Sequence, residues 1–282
     1  MSNGFNTPQE IAQSLVTVGK KKCSLSFISI VLLGILAGAY IGFGAELMTM
    51  VTHDLAKYVG MGFARFLGGA VFSVGLMLVV IGGAELFTGN NLILTGVIKG
   101  EVSWLDMLKN WVVVYLANFI GSLLLVYIMF YSGLWAINQL GVGASALSIA
   151  TAKVNITWVE AFARGIGCNW LVCLAIWLAL ASKDVVGKIF AIFFPIMAFV
   201  ASGFEHSVAN MYFIPMGLLL KSNAAVVAAS GLAGEKLANL TWSGFVYNNL
   251  IPVTLGNIVG GAVFVGAIYA FAYLRETACE TK

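Results

Sequence analysis

Ser202-Gly203-Phe204-Glu205-His206-Ser207-Val208-Ala209-Asn210-Met211-Tyr212-Phe213-Ile214-Pro215 sets a glutamate, a histidine and an asparagine inside an otherwise apolar run. An ionisable side chain at membrane depth costs about 2.5–3.5 kcal/mol even on lenient insertion scales, so such groups point to an ion or proton pathway before they point to packing. The run belongs to a chain of 282 residues, 60% hydrophobic and 10% charged, with a mean hydropathy of +0.96. That composition excludes a pair of soluble domains and specifies an integral membrane protein.

A spanning helix needs about 20 mainly apolar residues, and six stretches meet that length. Span one, near 25–50, is threaded by Gly34, Gly38, Gly42 and Gly44, whose spacing lets helix backbones approach closely in lipid. Span two begins near Gly62 and meets Gly82-Gly83-Ala84-Glu85-Leu86-Phe87-Thr88-Gly89-Asn90-Asn91 before it has crossed. Paired glycines and polar residues there predict a non-helical break followed by a half-helix over 92–98. Span three covers 111–135 and span four 158–181, with Glu160 and Arg164 an i,i+4 pair. Span five starts near Lys188, enters the opening stretch, and resumes as a second half-helix over 211–220; span six covers 245–274. The segment 136–156 reads as an outer loop.

Ahead of the spans, Thr7-Pro8-Gln9-Glu10 is a capping box with proline at the first helical position. It predicts a short amphipathic helix on the membrane surface or under the channel mouth, with Lys20, Lys21 and Lys22 meeting lipid phosphates. The domain reading is a cytoplasmic N-terminal helix over 1–24, a six-span unit over 25–275 and a cytoplasmic tail over 276–282. Lys20 to Lys22, Lys99, Lys109, Lys183, Lys188, Arg275 and Lys282 outnumber Lys57, Lys153, Lys221 and Lys236 on the other side. Both termini are therefore expected in the cytoplasm, in a multi-pass protein of the cell membrane. A net charge of +3, thinly scattered, gives no nucleic-acid surface. Cys23, Cys168, Cys173 and Cys279 have no metal or disulfide spacing and read as reduced thiols.

Gly83 to Asn90 aligns with Gly203 to Asn210 at an offset of about 120, matching glycine, glutamate and asparagine. Ala117-Asn118-Phe119-Ile120-Gly121 likewise matches Gly256-Asn257-Ile258-Val259-Gly260. Three spans per copy is an odd number, so the second copy enters inverted: repeat one spans about 25–135 and repeat two about 157–275. In such inverted 3+3 architectures, paired broken helices mark the permeation site near the midplane.

The helix ends freed at two breaks present N–H groups and positive dipole ends, which favour a small anion. Thr88 and His206 carry the exchangeable protons there, and His206 can donate a hydrogen bond to an anion or hand it a proton. Bonding between the two breaks is the structural alternative for His206. Glu85 and Glu205, equivalent by the repeat, are expected to serve the architecture by accepting hydrogen bonds from the opposite break. Asn90, Asn210, Asn118 and Asn257 read as fasteners, and Asn169 as a fastener or a residue facing the pathway. Apolar candidates for a constriction are Phe72, Leu76, Leu86 and Phe199. Lys153, alone in its loop, is a candidate for drawing anions to the outer mouth.

These residues resemble the formate/nitrite transporter family. The matching segments are Gly83-Ala84-Glu85-Leu86-Phe87-Thr88, Lys109-Asn110-Trp111, Asn169 to Ala175, Ala201 to Met211 and Asn249 to Asn257, so the likeness covers nearly the whole chain. The resemblance implies an aquaporin-like protomer, a homopentamer in lipid with one pore per protomer, and no cofactor or metal. The family's threonine and histidine fall on Thr88 and His206, its vestibule lysine on Lys153, its pore asparagine on Asn169, and its constriction on Phe72, Leu76, Leu86 and Phe199. Phe204, Met211 to Gly217 and Asn249 to Pro252 look closest to formate channels, whereas Gly89-Asn90-Asn91 looks more like the nitrite or hydrosulfide branches.

The expected function is a passive or proton-coupled channel for formate and related small monovalent anions. The alternatives are nitrite or hydrosulfide in the same pore, or a facilitator of water and neutral solutes, against which the charged breaks argue. An enzyme is not expected, because His53 and His206 are the only histidines and no nucleophile with a base can be read.

Overall fold

The computed structural model describes residues 4–274. Arg275, Cys279, Lys282 and the expected tail over 276–282 lie outside the described residues. The main elements are α1 (Pro8–Cys23), α2 (Phe27–Thr52), α3 (Ala56–Gly82), α4 (Phe87–Ile98), α5 (Trp104–Ser132), α6 (Gly141–Val154), α7 (Trp158–Ala181), α8 (Val185–Ser202), α9 (Ser207–Leu220) and α10 (Trp242–Tyr273). Six of these, α2, α3, α5, α7, α8 and α10, are long and apolar enough to cross a membrane. The chain is a multi-pass membrane protein whose second and fifth spans are broken, α3 resuming as α4 and α8 as α9.

Short polar residues set where the spans begin. Ser26, Ser103, Thr157 and Asp184 each accept a hydrogen bond from a first-turn N–H of α2, α5, α7 and α8, satisfying donors that lipid would leave bare. The Ser103 cap starts α5 seven residues before the apolar run expected from 111, so Asp106 and Lys109 ride on its exposed first turns. The second span also starts early: Gly60, at φ 78° and ψ 160°, lets helical backbone run on both sides of a kink. In α10, π-type turns over Phe245–Leu250 precede Pro252, which has no N–H to return to the preceding turn.

The glycines of span one serve close helix approach, as their spacing predicts. A Cβ on Gly38 would sit 2.0 Å from the backbone oxygen of Asn118 in α5, and one on Gly256 of α10 would sit 2.2 Å from that of Phe162 in α7. Helix backbones touch at both places.

Two expectations change. The segment 136–156 contains α6, with Val142, Leu147, Ala150 and Val154 buried against α9 and the rest of the core. Alternating small and apolar residues in one short stretch were not enough to show this helix without the surface it covers. Helix α1 begins at the Thr7 capping box, but of its two expected placements, on the membrane surface or under the channel mouth, its covered apolar face does not fit the first. Ile11, Ala12, Leu15 and Val16 are buried, and the helix packs on α4, α7 and α10. Two of its three lysines are also engaged, Lys20 lying 2.7 Å from Glu101 and Lys22 2.7 Å from Glu85. Asn6 ties the segment ahead of α1 to the end of α7 through Ala181 and Leu180.

Candidate functional site

Both breaks are built the same way. Gly83 and Gly203 take left-handed φ angles of 83° and 77°, where a side chain would be strained. The N–H groups of Ala84 and Phe204 then bond back to Val79 and Phe199, closing each helix as a Schellman-type end. Three extended residues follow, and a new helix starts at Phe87 or at Ser207.

Asparagines from the third and sixth spans bridge these gaps. Asn118 donates to the carbonyls of Gly34 and Glu85 at 2.8 and 2.9 Å and accepts from the N–H of Phe87 at 2.9 Å. Asn257 donates to Gly165 and Glu205 at 2.8 and 3.0 Å and accepts from the N–H of Ser207 at 2.9 Å. Backbone groups that a broken helix leaves open at membrane depth are thereby satisfied within the protein.

The glutamates differ from expectation in one respect: each is held by an asparagine of its own break and by a lysine just ahead of its own repeat, not by the opposite break. Glu85 receives Lys22 at 2.7 Å and Asn90 at 2.8 Å, while Asn90 also donates to Asn110 at 2.8 Å. Glu205 receives Lys153 at 3.0 Å on both oxygens and Asn210 at 2.7 Å, while Asn210 also donates to Asn249 at 2.6 Å. Asn110 and Asn249 close the circuits by donating to the carbonyls of Lys22 and Lys153. Lys153, a candidate for drawing anions to the outer mouth from a loop, is thus a largely buried member of α6 in contact with Glu205 and 5.2 Å from the Phe213 ring centre.

Lys22, Asn110 and Asn249 were not among the expected site residues. The signal was available, because the register that equates Gly34 with Gly165 also equates Lys22 with Lys153, and that of Asn118 with Asn257 equates Asn110 with Asn249. Glu46, toward the C-terminal end of α2, accepts a hydrogen bond from the buried hydroxyl of Tyr212.

A cavity of about 500 Å³ opens on the face that carries α1, lined among others by Lys22, Glu85, Leu86 and Asn90. A smaller one, about 100 Å³, lies on the face that carries α6, lined by Phe72, Lys153, Phe199, Glu205, His206 and Asn210 among others. Many of the linings are repeat equivalents of each other. Thr88 and Leu76 are buried and border neither cavity. The Phe72 and Phe199 rings meet edge to face at 5.7 Å, and Phe199 stacks on His206 at 6.0 Å.

Between the cavities the two breaks touch, where Thr88 Oγ1 and His206 Nε2 lie 3.0 Å apart. His206 caps α9, its Nδ1 accepting the N–H of Ala209 at 3.0 Å. An accepting Nδ1 carries no proton, so the neutral ring holds its proton on Nε2 and donates it to Thr88. The Thr88 hydroxyl keeps its own hydrogen for another acceptor. Asn169 is buried beside this contact, its amide spread over the carbonyls of Thr88 and Asn257 and the side-chain oxygen of Asn91 at 2.7–3.2 Å. It fastens the Thr88 break to α10. Cys173 reaches the same Thr88 carbonyl at 3.4 Å, and Cys23, Cys168 and Cys173 are free thiols.

Two broken spans in an inverted repeat, each clamped by its own lysine–glutamate–asparagine circuit and meeting between facing cavities, define a membrane transport protein of the broken-helix kind. Residues 9–271 match the family described as formate/nitrite transporter. The chain belongs to that family. It is 42% identical to a probable formate transporter of Methanothermobacter thermautotrophicus, over 98% of this chain and 100% of the relative. It is 38% identical to the formate channel FocA of Escherichia coli K12, over 95% of each. Among solved structures, a pentameric formate channel with formate bound superposes with a TM-score of 0.79 at 40% identity, over 88% of this chain and 98% of that one.

Proposed function

We propose that this protein is a channel or transporter for formate and related small monovalent anions. It works as a homopentamer in the cytoplasmic membrane, with one pore per protomer and both termini in the cytoplasm, and it is not an enzyme. The observation that carries this reading is the Thr88–His206 contact of 3.0 Å in the wall between two cavities. The names of its relatives and the formate bound in the neighbouring structure support the substrate. The repeats are best taken as α1–α5 and α6–α10, because α1 and α6 deliver the equivalent lysines to Glu85 and Glu205.

An anion crossing the wall takes the place of one partner in the Thr88–His206 bond. It accepts the Nε2–H of His206 and the Thr88 hydroxyl, while Phe72, Phe199, Leu76 and Leu86 exclude bulk water and larger ions. Asn169 holds the Thr88 backbone in place. Glu85, Glu205, Asn90 and Asn210 keep the breaks in shape. A second proton on His206 requires release of the Ala209 N–H from Nδ1, so proton coupling through this ring carries the loss of a helix cap. Neutral donation is the ground state of the site.

The test is flux of formate, nitrite and hydrosulfide into proteoliposomes carrying the parent, His206→Ala or Thr88→Val. Thr88→Val keeps the α9 cap and removes only the hydroxyl. Both variants should lose anion flux. Unchanged rate and pH dependence in both would refute the site, robust hydrosulfide flux with none for formate would refute the substrate, and gluconate flux equal to formate would refute the size filter. Water flux indifferent to pH, with no anion flux, would instead identify a neutral-solute facilitator.

A further inference from the structure

We propose that Arg65 is the cation that concentrates anions at the mouth of the α6-side cavity, and so helps determine specificity in the transport proposed above, on which this inference rests. Arg65 lies within α3, is exposed, and has no hydrogen-bond or ion-pair partner among the described residues. A free charge inside a span is costly and needs a use.

Its direction follows from its neighbours on the helix. A Cβ on Gly68 would face Thr52 and Met48 of α2, and one on Gly69 would face Met197 of α8. At 100° per residue, Arg65 falls between those two directions and almost in line with Phe72. It therefore fronts the seam between α2 and α8, where Met48, Phe72, Phe199 and Val200 line the cavity. Seven residues at about 1.5 Å each place it about 10 Å from Phe72 along the helix. Helical side chains lean toward the N-terminal end, which for α3 is the open end of this cavity.

Of the other cations on this side, Lys57 and Lys236 are also exposed, but Lys57 stands eight residues farther from Phe72 along α3 and Lys236 lies outside the spans. Lys153 is held by Glu205 at 3.0 Å and Arg164 by Glu160 at 3.4 Å. The guanidinium of Arg65 keeps its charge at every working pH, and a single-sign charge over apolar walls raises the local concentration of counter-ions.

The experiment compares initial rates of formate, nitrite and hydrosulfide flux for the parent, Arg65→Gln and Arg65→Lys. It is run in sided proteoliposomes at about 10 mM and about 1 M ionic strength, where screening lengths are about 30 and 3 Å. Thermal melting of each variant checks that the fold is kept. At low salt, Arg65→Gln should raise the half-saturating anion concentration about two- to fourfold from the α6 side, the size expected of one charge acting through water at such range. The maximal rate should be unchanged, Arg65→Lys should match the parent, and the difference should vanish at high salt. Equal half-saturation at low salt, or a defect that persists at high salt, overturns the inference. A parent carrying none of the three anions overturns the transport reading and this inference together, whereas an active parent matched by Arg65→Gln overturns this inference alone.

Discussion

Lys153→Met distinguishes a lysine that recruits anions from one that holds the fold. The Lys153 and Glu205 side chains are 14% and 7% exposed and touch at 3.0 Å, so this is a buried pair and not a surface one. Removing the lysine leaves the Glu205 carboxylate in place with Asn210 and Asn249 as its remaining donors. Breaking one side of a buried pair costs about 3–5 kcal/mol, because the surviving charge is uncompensated. The two asparagine bonds stay, which puts the expected loss at the lower end, about 3 kcal/mol. The companion Lys153→Met/Glu205→Gln removes the stranded charge and should recover more than half of that loss. The assay is thermal unfolding of the purified protein in detergent, read by intrinsic fluorescence and by retention of the native oligomer on gel filtration. If Lys153→Met were as stable as the double variant, and altered only the half-saturating concentration of formate, the pair would be a recruiting device and the argument from burial would fail.

Three further outcomes follow from the packing and from groups outside the spans. Gly38→Val should abolish accumulation of folded protein, because even a Cβ there would lie 2.0 Å from the Asn118 carbonyl oxygen; recovery of parent levels from membranes would contradict the close approach of α2 and α5. Burial, with Asp106 and Glu85 adding to it, pushes the Cys23 thiol up to about 11, so in a Cys279→Ser background maleimide labelling of Cys23, located by peptide mapping, should stay slow at pH 7–8 and speed up only well above pH 9; fast labelling of Cys23 at pH 7 would show the end of α1 undocked. Glu10 accepts the Thr7 N–H and hydroxyl in the capping box, which holds its carboxyl below the ordinary value of 4.5. A depressed carboxyl stabilises the folded form above its unfolded pKa and loses that contribution as pH falls through the folded one. Amide exchange in the first turn of α1 should therefore accelerate below pH 4.5 relative to the rest of the helix, and Glu10→Gln should remove the pH dependence; identical profiles would disprove the cap's role.

Much of the architecture is legible because it is repeated. Six apolar stretches and two copies of glycine–glutamate–asparagine are visible as strings, and in the structure they are six spans and two helix breaks. Asn118 and Asn257 could be read as fasteners for the same reason. What stayed hidden depends on distance in the chain. Helix α6 looks like a loop until α9 is beside it, and Lys22 looks like a lipid anchor until the break brings Glu85 within 2.7 Å. The asparagine partner of each glutamate is five residues on, but the lysine partner is 63 or 52 residues away, and no local periodicity encodes it.

The two halves agree in the circuits that clamp the breaks and differ at the Thr88–His206 contact, where the proposed anion site lies. Lysine, glutamate and both asparagines of each circuit have equivalents in the other repeat, with matching bonds. His206, however, stands opposite Leu86 in the repeat register, and Thr88 opposite Val208, so the exchangeable protons fall where the symmetry is broken. A symmetric pair of histidines would face each other across the same wall, competing for one proton and repelling when both were charged. One histidine capped on Nδ1 and one hydroxyl give a donor of fixed direction and an acceptor that still has a hydrogen to offer. In the transport proposed above, an anion entering from either cavity would meet the same two donors, which the surrounding circuits hold 3.0 Å apart.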